Sequence, residues 1–174
     1  MFDAIDQKIL MFLQDDARMS NAEIARRLGM AASGIFERIK KLEERGTITG
    51  YTALVDPVAV ELGLLAYVFV RTEDPVGGDA TARALAKRPE IQEVHHVAGE
   101  DCYLAKVRVK DTRALSTLMK EIGALKDVRS TRTTVVLETT KEVPFLPLEG
   151  TGRGKGAQTP GKAPMKAKAK KESR

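Results

Sequence analysis

One cysteine, Cys102, and two histidines, His95 and His96, are the only thiol and imidazole groups in 174 residues. A single cysteine excludes an intrachain disulfide framework and suits a reducing cytoplasm, the expected location. The histidines are neighbours, so on a strand they point to opposite faces and cannot chelate one metal together. No Cys/His cluster, glycine-rich phosphate loop or nucleophile–base constellation accompanies them. No metal site, cofactor site or catalytic residue is therefore expected. Long apolar runs are missing too: none approaches the ~18–20 residues of a membrane span. The opening MFDAIDQKIL is acidic and amphipathic, and is expected to be neither a secretory signal nor a transit peptide. No internal repeat is visible.

Charge is unevenly spread. The formal net charge is +5, but residues 150–174 hold eight Lys/Arg against one acid, which leaves residues 1–149 at −2. The body is not uniformly basic, so attraction to nucleic acid has to come from local placement of charge. Glycine, proline, alanine and lysine dominate from Gly150 onward, a composition unable to bury enough apolar surface to order itself. A disordered basic tail is expected over residues 149–174.

What the chain does contain is a helix-turn-helix pattern between Ser20 and Tyr51. Ser20 and Glu23 make a capping-box signature, in which each side chain reaches the other's backbone N–H. Ile24, Ala25 and Leu28 form one apolar face, and Gly29 suits the left-handed residue that ends a helix. Ile35, Ile39 and Leu42 mark a second amphipathic helix that stops at Gly46. An earlier helix capped by Asp3 carries Ile5, Ile9, Phe12 and Leu13, completing a three-helix unit over residues 3–45. Thr47 to Val55 reads as a strand or short hairpin, a wing, closed by Asp56-Pro57. Such a unit presents its second motif helix to the major groove of DNA.

Residues 64–140 follow a different grammar. LLAYVFVRT is β-rich, Asp79 can cap a helix with Ala82, Leu85 and Ala86 buried, and Ile91 to Ala98 alternates as a strand. Gly99-Glu100-Asp101 is a tight turn. Cys102 to Lys110 is a strand with Tyr103, Ala105, Val107 and Val109 on its apolar face. Asp111 caps a helix bearing Leu115, Leu118, Met119 and Ile122, and Val128 to Thr140 is the last strand. The order βαββαβ is the ferredoxin-like split arrangement, a four-stranded antiparallel sheet with both helices on one face. Val68, Val70, Leu104 and Val136 cannot all fit the helix-side core, so the open face implies a homodimer with stacked sheets. The fold class is α+β. The domains are a helix-turn-helix over 1–51, a linker over 52–63, a ferredoxin-like sensing and assembly domain over 64–148, and the tail.

The chain resembles the leucine-responsive regulatory protein/AsnC (feast/famine) family of transcription regulators over about residues 3–148. The residues that carry the resemblance are Ile5-Asp6…Ile9-Leu10, Leu28-Gly29, Arg38-Ile39-Lys40-Lys41-Leu42-Glu43 and Gly46…Ile48-Thr49-Gly50-Tyr51 in the first half. In the second they are Val94…Val97 to Leu104 and Val128…Thr131…Thr133…Val135-Val136-Leu137. The resemblance implies a regulator of double-stranded DNA, dimeric and assembling to tetramers or octamers, nucleoid-associated, and modulated by an amino acid or related metabolite. It also places the effector pocket at Gly99, Glu100, Asp101, Cys102 and Tyr103, faced by Thr131, Thr133 and Thr134. The family often has serine at the start of its recognition helix where this chain has Ala31, and Ser33 could cap a helix starting two residues later.

Helical spacing turns Ser33, Glu37, Lys40, Lys41 and Glu44 away from Ile35, Ile39 and Leu42. Ser33, Gly34, Glu37, Arg38, Lys40 and Lys41 are the candidate DNA contacts, against the plainer reading of a solvated face. Lys40 and Lys41 suit phosphate or guanine, and Ser33 and Gly34 permit close approach. Arg38, on the flank, either reaches phosphate or braces the helix. Phe36 reads first as a boundary core residue, with contact to a thymine methyl as the alternative. His95, His96 and Cys102 read as structural. Glu100 and Asp101 serve either a ligand or merely a polar turn. The rival function is an architectural, nucleoid-type DNA-binding protein without an effector, which the basic tail favours. An enzyme or ligand-binding module on the ferredoxin-like fold would leave residues 3–51 unexplained.

Overall fold

Three helices open the chain, α1 (Ala4–Asp15), α2 (Asn21–Leu28) and α3 (Ala32–Glu44), in a computed structural model that describes residues 3–74 and 78–148. Asp3 starts α1 with a complete capping box: its carboxylate accepts from the Ile5 and Asp6 N–H groups, and Asp6 accepts from the Asp3 N–H. Ser20 caps α2 by accepting from the Glu23 N–H at 3.2 Å, but the expected reciprocal bond is absent. The Glu23 carboxylate is held instead by Arg26 and Arg27, both at 2.7 Å. Two charge-assisted bonds outcompete one neutral backbone donor. Gly29 ends α2 at φ 66°, a left-handed conformation that only glycine adopts without cost.

Helix α3 begins at Ala32, one residue after Ala31, and no side chain caps it. Ser33 therefore lies inside the first turn and does not serve as the alternative cap. Ile9, Ile24, Ala25, Ile35 and Leu42 form the buried centre of this unit, with Ile5, Phe12, Leu13, Leu28, Ile39 and Ile48 packed around them. Arg38 ties α3 to α1, its Nη1 donating to Asp3 at 2.8 Å and to the buried Asp6 at 2.7 Å.

Residues 47–55, expected as a strand or hairpin, contain no strand. The Thr47 and Ile48 N–H groups both turn back onto the Leu42 carbonyl, closing α3 and leaving no ladder to propagate. A lone two-stranded ribbon is marginal without a third strand or a packed face. The chain divides into two compact units, and residues 141–148 group with the three helices. There the Leu146 N–H donates to the Gln14 side-chain oxygen at 2.7 Å, and the Gln14 amide donates to the Leu146 carbonyl at 3.3 Å.

The second unit, residues 55–140, contains β1 (Leu64–Thr72), α4 (Ala80–Ala86), β2 (Ile91–His96), β3 (Tyr103–Val109), α5 (Thr112–Gly123) and β4 (Val128–Val135). The sheet order is β2-β3-β1-β4 with antiparallel neighbours, which is the split βαββαβ arrangement. Ala66, Val68 and Val70 of β1 and Ala105 and Val107 of β3 are fully buried against Leu85 of α4 and Leu115, Leu118 and Ile122 of α5. The opposite face carries Tyr67, Phe69, Leu104 and Arg132 by strand alternation. Val68 and Val70 thus belong to the helix side, while Leu104 belongs to the open side.

Several boundaries differ from expectation. Strand β4 stops at Val135, short of the expected Thr140, with one further bond from the Val136 N–H to the Leu65 carbonyl. Strand β2 ends at His96, and the Val97 N–H closes the following turn onto Cys102. Asp79 precedes α4 without capping it; its carboxylate pairs with Arg83. Ala86 is exposed and Thr81 is buried in its stead, donating to Asp74 at 3.1 Å. Asp111 caps α5 by accepting from the Ala114 N–H. Residues 75–77 and the expected tail, residues 149–174, lie outside the described residues.

The α1–α3 brace carries a pH signature. Backbone donation from Asp6 and the Arg38 guanidinium hold the Asp3 carboxyl below its ordinary 3.8. A depressed carboxyl contributes stability above its unfolded pKa and loses it as the pH falls through the folded one. Asp3→Asn keeps a capping oxygen but removes the charge. Its urea unfolding midpoint is expected below that of the parent at pH 7, with the gap shrinking as the pH drops below about 3.8. A gap that is constant with pH would show that the Asp3 charge contributes nothing.

Candidate nucleic-acid interface and ligand loop

The amphipathic period of α3 turns Ile35 and Leu42 into the core and leaves Ser33, Glu37, Lys40 and Lys41 exposed on the other side. Lys40 stands 3.9 Å from Glu44, a loose pair that leaves its ammonium available. Gly34 lies at the edge of this face. A Cβ added there would meet only the Met30 methyl at 3.7 Å, so packing inside the unit does not demand glycine.

Arg38 faces the other way. Its bonds to Asp3 and Asp6 fix it as the brace between α1 and α3, the structural alternative left open by the sequence. Phe36, read as a boundary core residue, is 53% exposed and stands outside the buried cluster. The 100° step sets it well off the centre of the apolar stripe, and Ile39 and Met30 fill the space beside the core. Tyr51 donates its hydroxyl to Glu43 at 2.8 Å. Burial and that acceptor push the phenol up to about 12. On α2, Arg26 is well exposed next to this surface in sequence, a cationic position that the helical spacing of α3 alone does not single out.

The ligand-loop candidates are distributed over both faces of the sheet. Gly99 and Glu100 are exposed at the turn, and Gly99 has φ 151°. The Cys102 thiol lies 3.7 Å from the Thr72 carbonyl, a weak contact that packs it against the end of β1. Tyr103 is buried on the helix side, where its hydroxyl donates to Asp74 and to the Gly78 carbonyl, each at 3.3 Å. Burial, and then Asp74, raises its phenol pKa. The His96 ring stacks obliquely on Tyr103 with centroids 5.2 Å apart, whereas His95 contacts Glu93 on the open face. Thr131 and Thr133 pair with Val70 and Val68 and so share the helix side, where Thr133 touches the Met119 sulfur. Thr134 pairs with Tyr67 and lies on the open face.

Asp101 is brought together with a residue absent from the sequence-based candidates. Arg132 of β4 reaches across the Phe69 ring, its guanidinium 3.9 Å from the ring centroid, and donates to the Asp101 carboxylate at 2.8 Å. Strand, ring and turn are thereby joined on the open face by one side chain. The sequence does hold a signal for it: between Thr131 and Thr133, alternation sends Arg132 to the face opposite both threonines. Among the described residues no group of three or more His, Cys, Asp or Glu could hold a metal. No described helix is long and apolar enough to cross a membrane.

Comparison with known proteins covers both units. The winged helix-turn-helix DNA-binding domain matches residues 2–49, and the Lrp/AsnC ligand binding domain matches residues 65–144. The HTH-type transcriptional regulator FL11 of Pyrococcus horikoshii is 37% identical over 147 residues, spanning 84% of this chain and 97% of that protein. The leucine-responsive regulatory protein of Escherichia coli is 40% identical over 143 residues, spanning 80% and 87%. A Neisseria meningitidis transcriptional regulator solved with L-methionine superposes at TM-score 0.80 and 30% identity, covering 86% of this chain and 98% of that one. The feast or famine regulatory protein of Mycobacterium tuberculosis, also complexed with L-methionine, superposes at 0.78 and 34% identity over 84% and 99%. Helices, sheet order and sequence agree along nearly the whole length of these regulators, so the chain belongs to the Lrp/AsnC family: a non-enzymatic transcriptional regulator with a helix-turn-helix DNA-binding domain and a ligand-binding domain.

Proposed function

We propose that α3 enters the major groove of an operator, with Ser33, Gly34, Glu37, Lys40 and Lys41 meeting DNA and Arg38 holding the helix at its angle. The observation that carries this reading is the exposed side of α3, where two lysines without a close partner stand opposite the core residues. Lysines suit phosphate or guanine, and the Glu37 carboxylate can accept from a cytosine amino group. Replacing Lys40 and Lys41 with alanine is expected to weaken operator binding and reduce its salt slope by about one unit for each phosphate no longer neutralised. Titration of affinity against salt measures this. Unchanged affinity and slope in a folded variant would remove α3 from the groove.

The ligand reading is an amino acid at the turn between β2 and β3. The L-methionine complexes of the two structural relatives support that class of ligand. Asp101 and Arg132 offer the two charges a zwitterion needs: a carboxylate to accept from its ammonium and a guanidinium to bind its carboxylate. The effector would replace an internal ion pair with two intermolecular ones. Thr134 shares that face, whereas Glu100, Gly99 and Cys102 frame the turn. Asp101→Ala is expected to abolish the melting shift produced by L-methionine while operator affinity without effector changes little. Thermal unfolding with and without L-methionine tests it, and a full shift in the variant would place the ligand elsewhere.

Homodimerisation through the open sheet face fits Tyr67, Phe69 and Leu104, which the helices leave uncovered. Higher assembly to tetramers or octamers would follow from further contacts of the same domain, and a cytoplasmic, nucleoid-associated location suits such a regulator. An effector that prefers one subunit arrangement would then alter the spacing of the paired DNA-binding units by population shift. Leu104→Arg puts an unpaired charge in the apolar middle of that face, where Arg132 and Lys106 are already held by Asp101 and Glu93, and is expected to raise the fraction of monomer. Sedimentation at micromolar concentration reads this, and an unchanged assembly state would exclude sheet stacking. The basic composition of residues 150–174 favours one second reading, an architectural protein that coats DNA. It differs in predicting similar affinity for operator and random duplexes.

A further inference from the structure

We propose that Phe36 reads the 5-methyl group of a thymine, making it a specificity-determining residue of α3. The inference rests on the proposal that α3 occupies the major groove. Phe36 is 53% exposed, the only large apolar side chain of α3 that faces water. The core of the three-helix unit closes without it: Ile35 and Leu42 fill the centre and Ile39 packs alongside. Helical spacing stations it between Ser33, three residues before, and Lys40, four residues after, both exposed. It therefore belongs to the same surface as the polar candidates and to the N-terminal half of the helix, the part that a helix-turn-helix brings to the base edges.

The chemistry of the groove narrows what such a ring can contact. A phenyl group has no donor for phosphate and no acceptor for a base amino group. The one apolar feature that base pairs display in the major groove is the thymine C5-methyl. The charged residues of α3 reach phosphates or polar base edges and cannot sense a methyl group. Lys40 is only loosely paired with Glu44 at 3.9 Å, and Arg38 is engaged by Asp3 and Asp6. Phe36 adds to these polar contacts the one apolar contact the exposed side of α3 provides.

The test removes the methyl alone. Duplexes recovered by the full-length protein from a random-sequence library are remade with single thymines changed to deoxyuridine, which alters no hydrogen-bonding edge. Expected for the parent is a loss of roughly fourfold at one thymine in each half-site, the scale of one buried methyl. Phe36→Ala should bind the thymine duplex more weakly by about that factor for each half-site and be indifferent to uracil at that position, while Phe36→Leu should retain part of the preference. The inference falls if the parent ignores every substitution, or if Phe36→Ala discriminates thymine from uracil as the parent does. It falls equally if Phe36→Ala changes the assembly state and lowers affinity for every duplex alike, since Phe36 would then be a protein contact. Lys40→Ala/Lys41→Ala separates the premises. If that variant loses salt slope while Phe36→Ala behaves as the parent, α3 stays in the groove and only the thymine reading is overturned. If the lysine variant binds as the parent does, the premise itself fails.

Discussion

Alternation along β1 is the constraint on which the ligand-binding unit depends. The strand lies between β3 and β4, so its backbone is paired on both edges and its side chains have only two directions available. Ala66, Val68 and Val70 go to the helices and are fully buried; Tyr67 and Phe69 go to the other face. Once that choice is made, register transmits it. Tyr103, Ala105 and Val107 of β3 follow the helix side, Leu104 the open side, and Arg132 of β4 must land beside Phe69. A shift of one residue would bury Arg132 and expose the valines, so the hydrophobic pattern fixes the register. The Asp101–Arg132 pair is thus a consequence of core formation on the opposite face.

The DNA-binding unit solves a different problem. Three short helices bury a small centre, and α3 starts with no side-chain cap at Ala31. What it lacks at its N-terminus is offset by a lateral tie, Arg38 to Asp3 and Asp6. Asp3 simultaneously caps α1, so one carboxylate serves both the start of α1 and the placement of α3. Breaking a pair that includes the largely buried Asp6 leaves a desolvated charge unmatched, which costs more than an exposed pair is worth. An arginine engaged by two carboxylates is less available to phosphate, and on the proposed reading the electrostatic share of DNA binding would fall to Lys40 and Lys41.

How much of this is legible in sequence follows from which interactions are local. Caps at Asp3, Ser20 and Asp111 and the left-handed Gly29 depend on neighbours within a few residues, and spacing locates them. The order βαββαβ follows from alternation and breakers. Over residues 47–55 the pattern misleads, because β-branched residues satisfy strand propensity whereas the Thr47 and Ile48 N–H groups are committed to Leu42. Asp79 misleads as a cap for a similar reason, since Arg83 one turn on competes for its carboxylate. The partners of Arg38 lie 35 and 32 residues away and that of Arg132 lies 31 away, distances over which periodicity carries no information. Phe36 defeats the helical wheel because flank position does not say whether a neighbouring element arrives to cover it.

The exposure of the Asp101–Arg132 pair bears on what an effector at that turn could achieve. The arginine side chain is 62% exposed and the aspartate 20%. A pair so open to water is worth at most about 1 kcal/mol, so a zwitterion that separates it forfeits little and regains two charged bonds of its own. The exchange makes ligand entry inexpensive without making it strongly coupled. Allosteric coupling is commonly about 1–3 kcal/mol and arises only from a difference in affinity between two states. The pair by itself offers less than that range requires. The remainder has to come from the ligand side chain, which is where an amino acid differs from its competitors. On this arithmetic the loop charges would recognise the class of effector, and apolar contacts made by its side chain would decide both its identity and its power to shift the assembly.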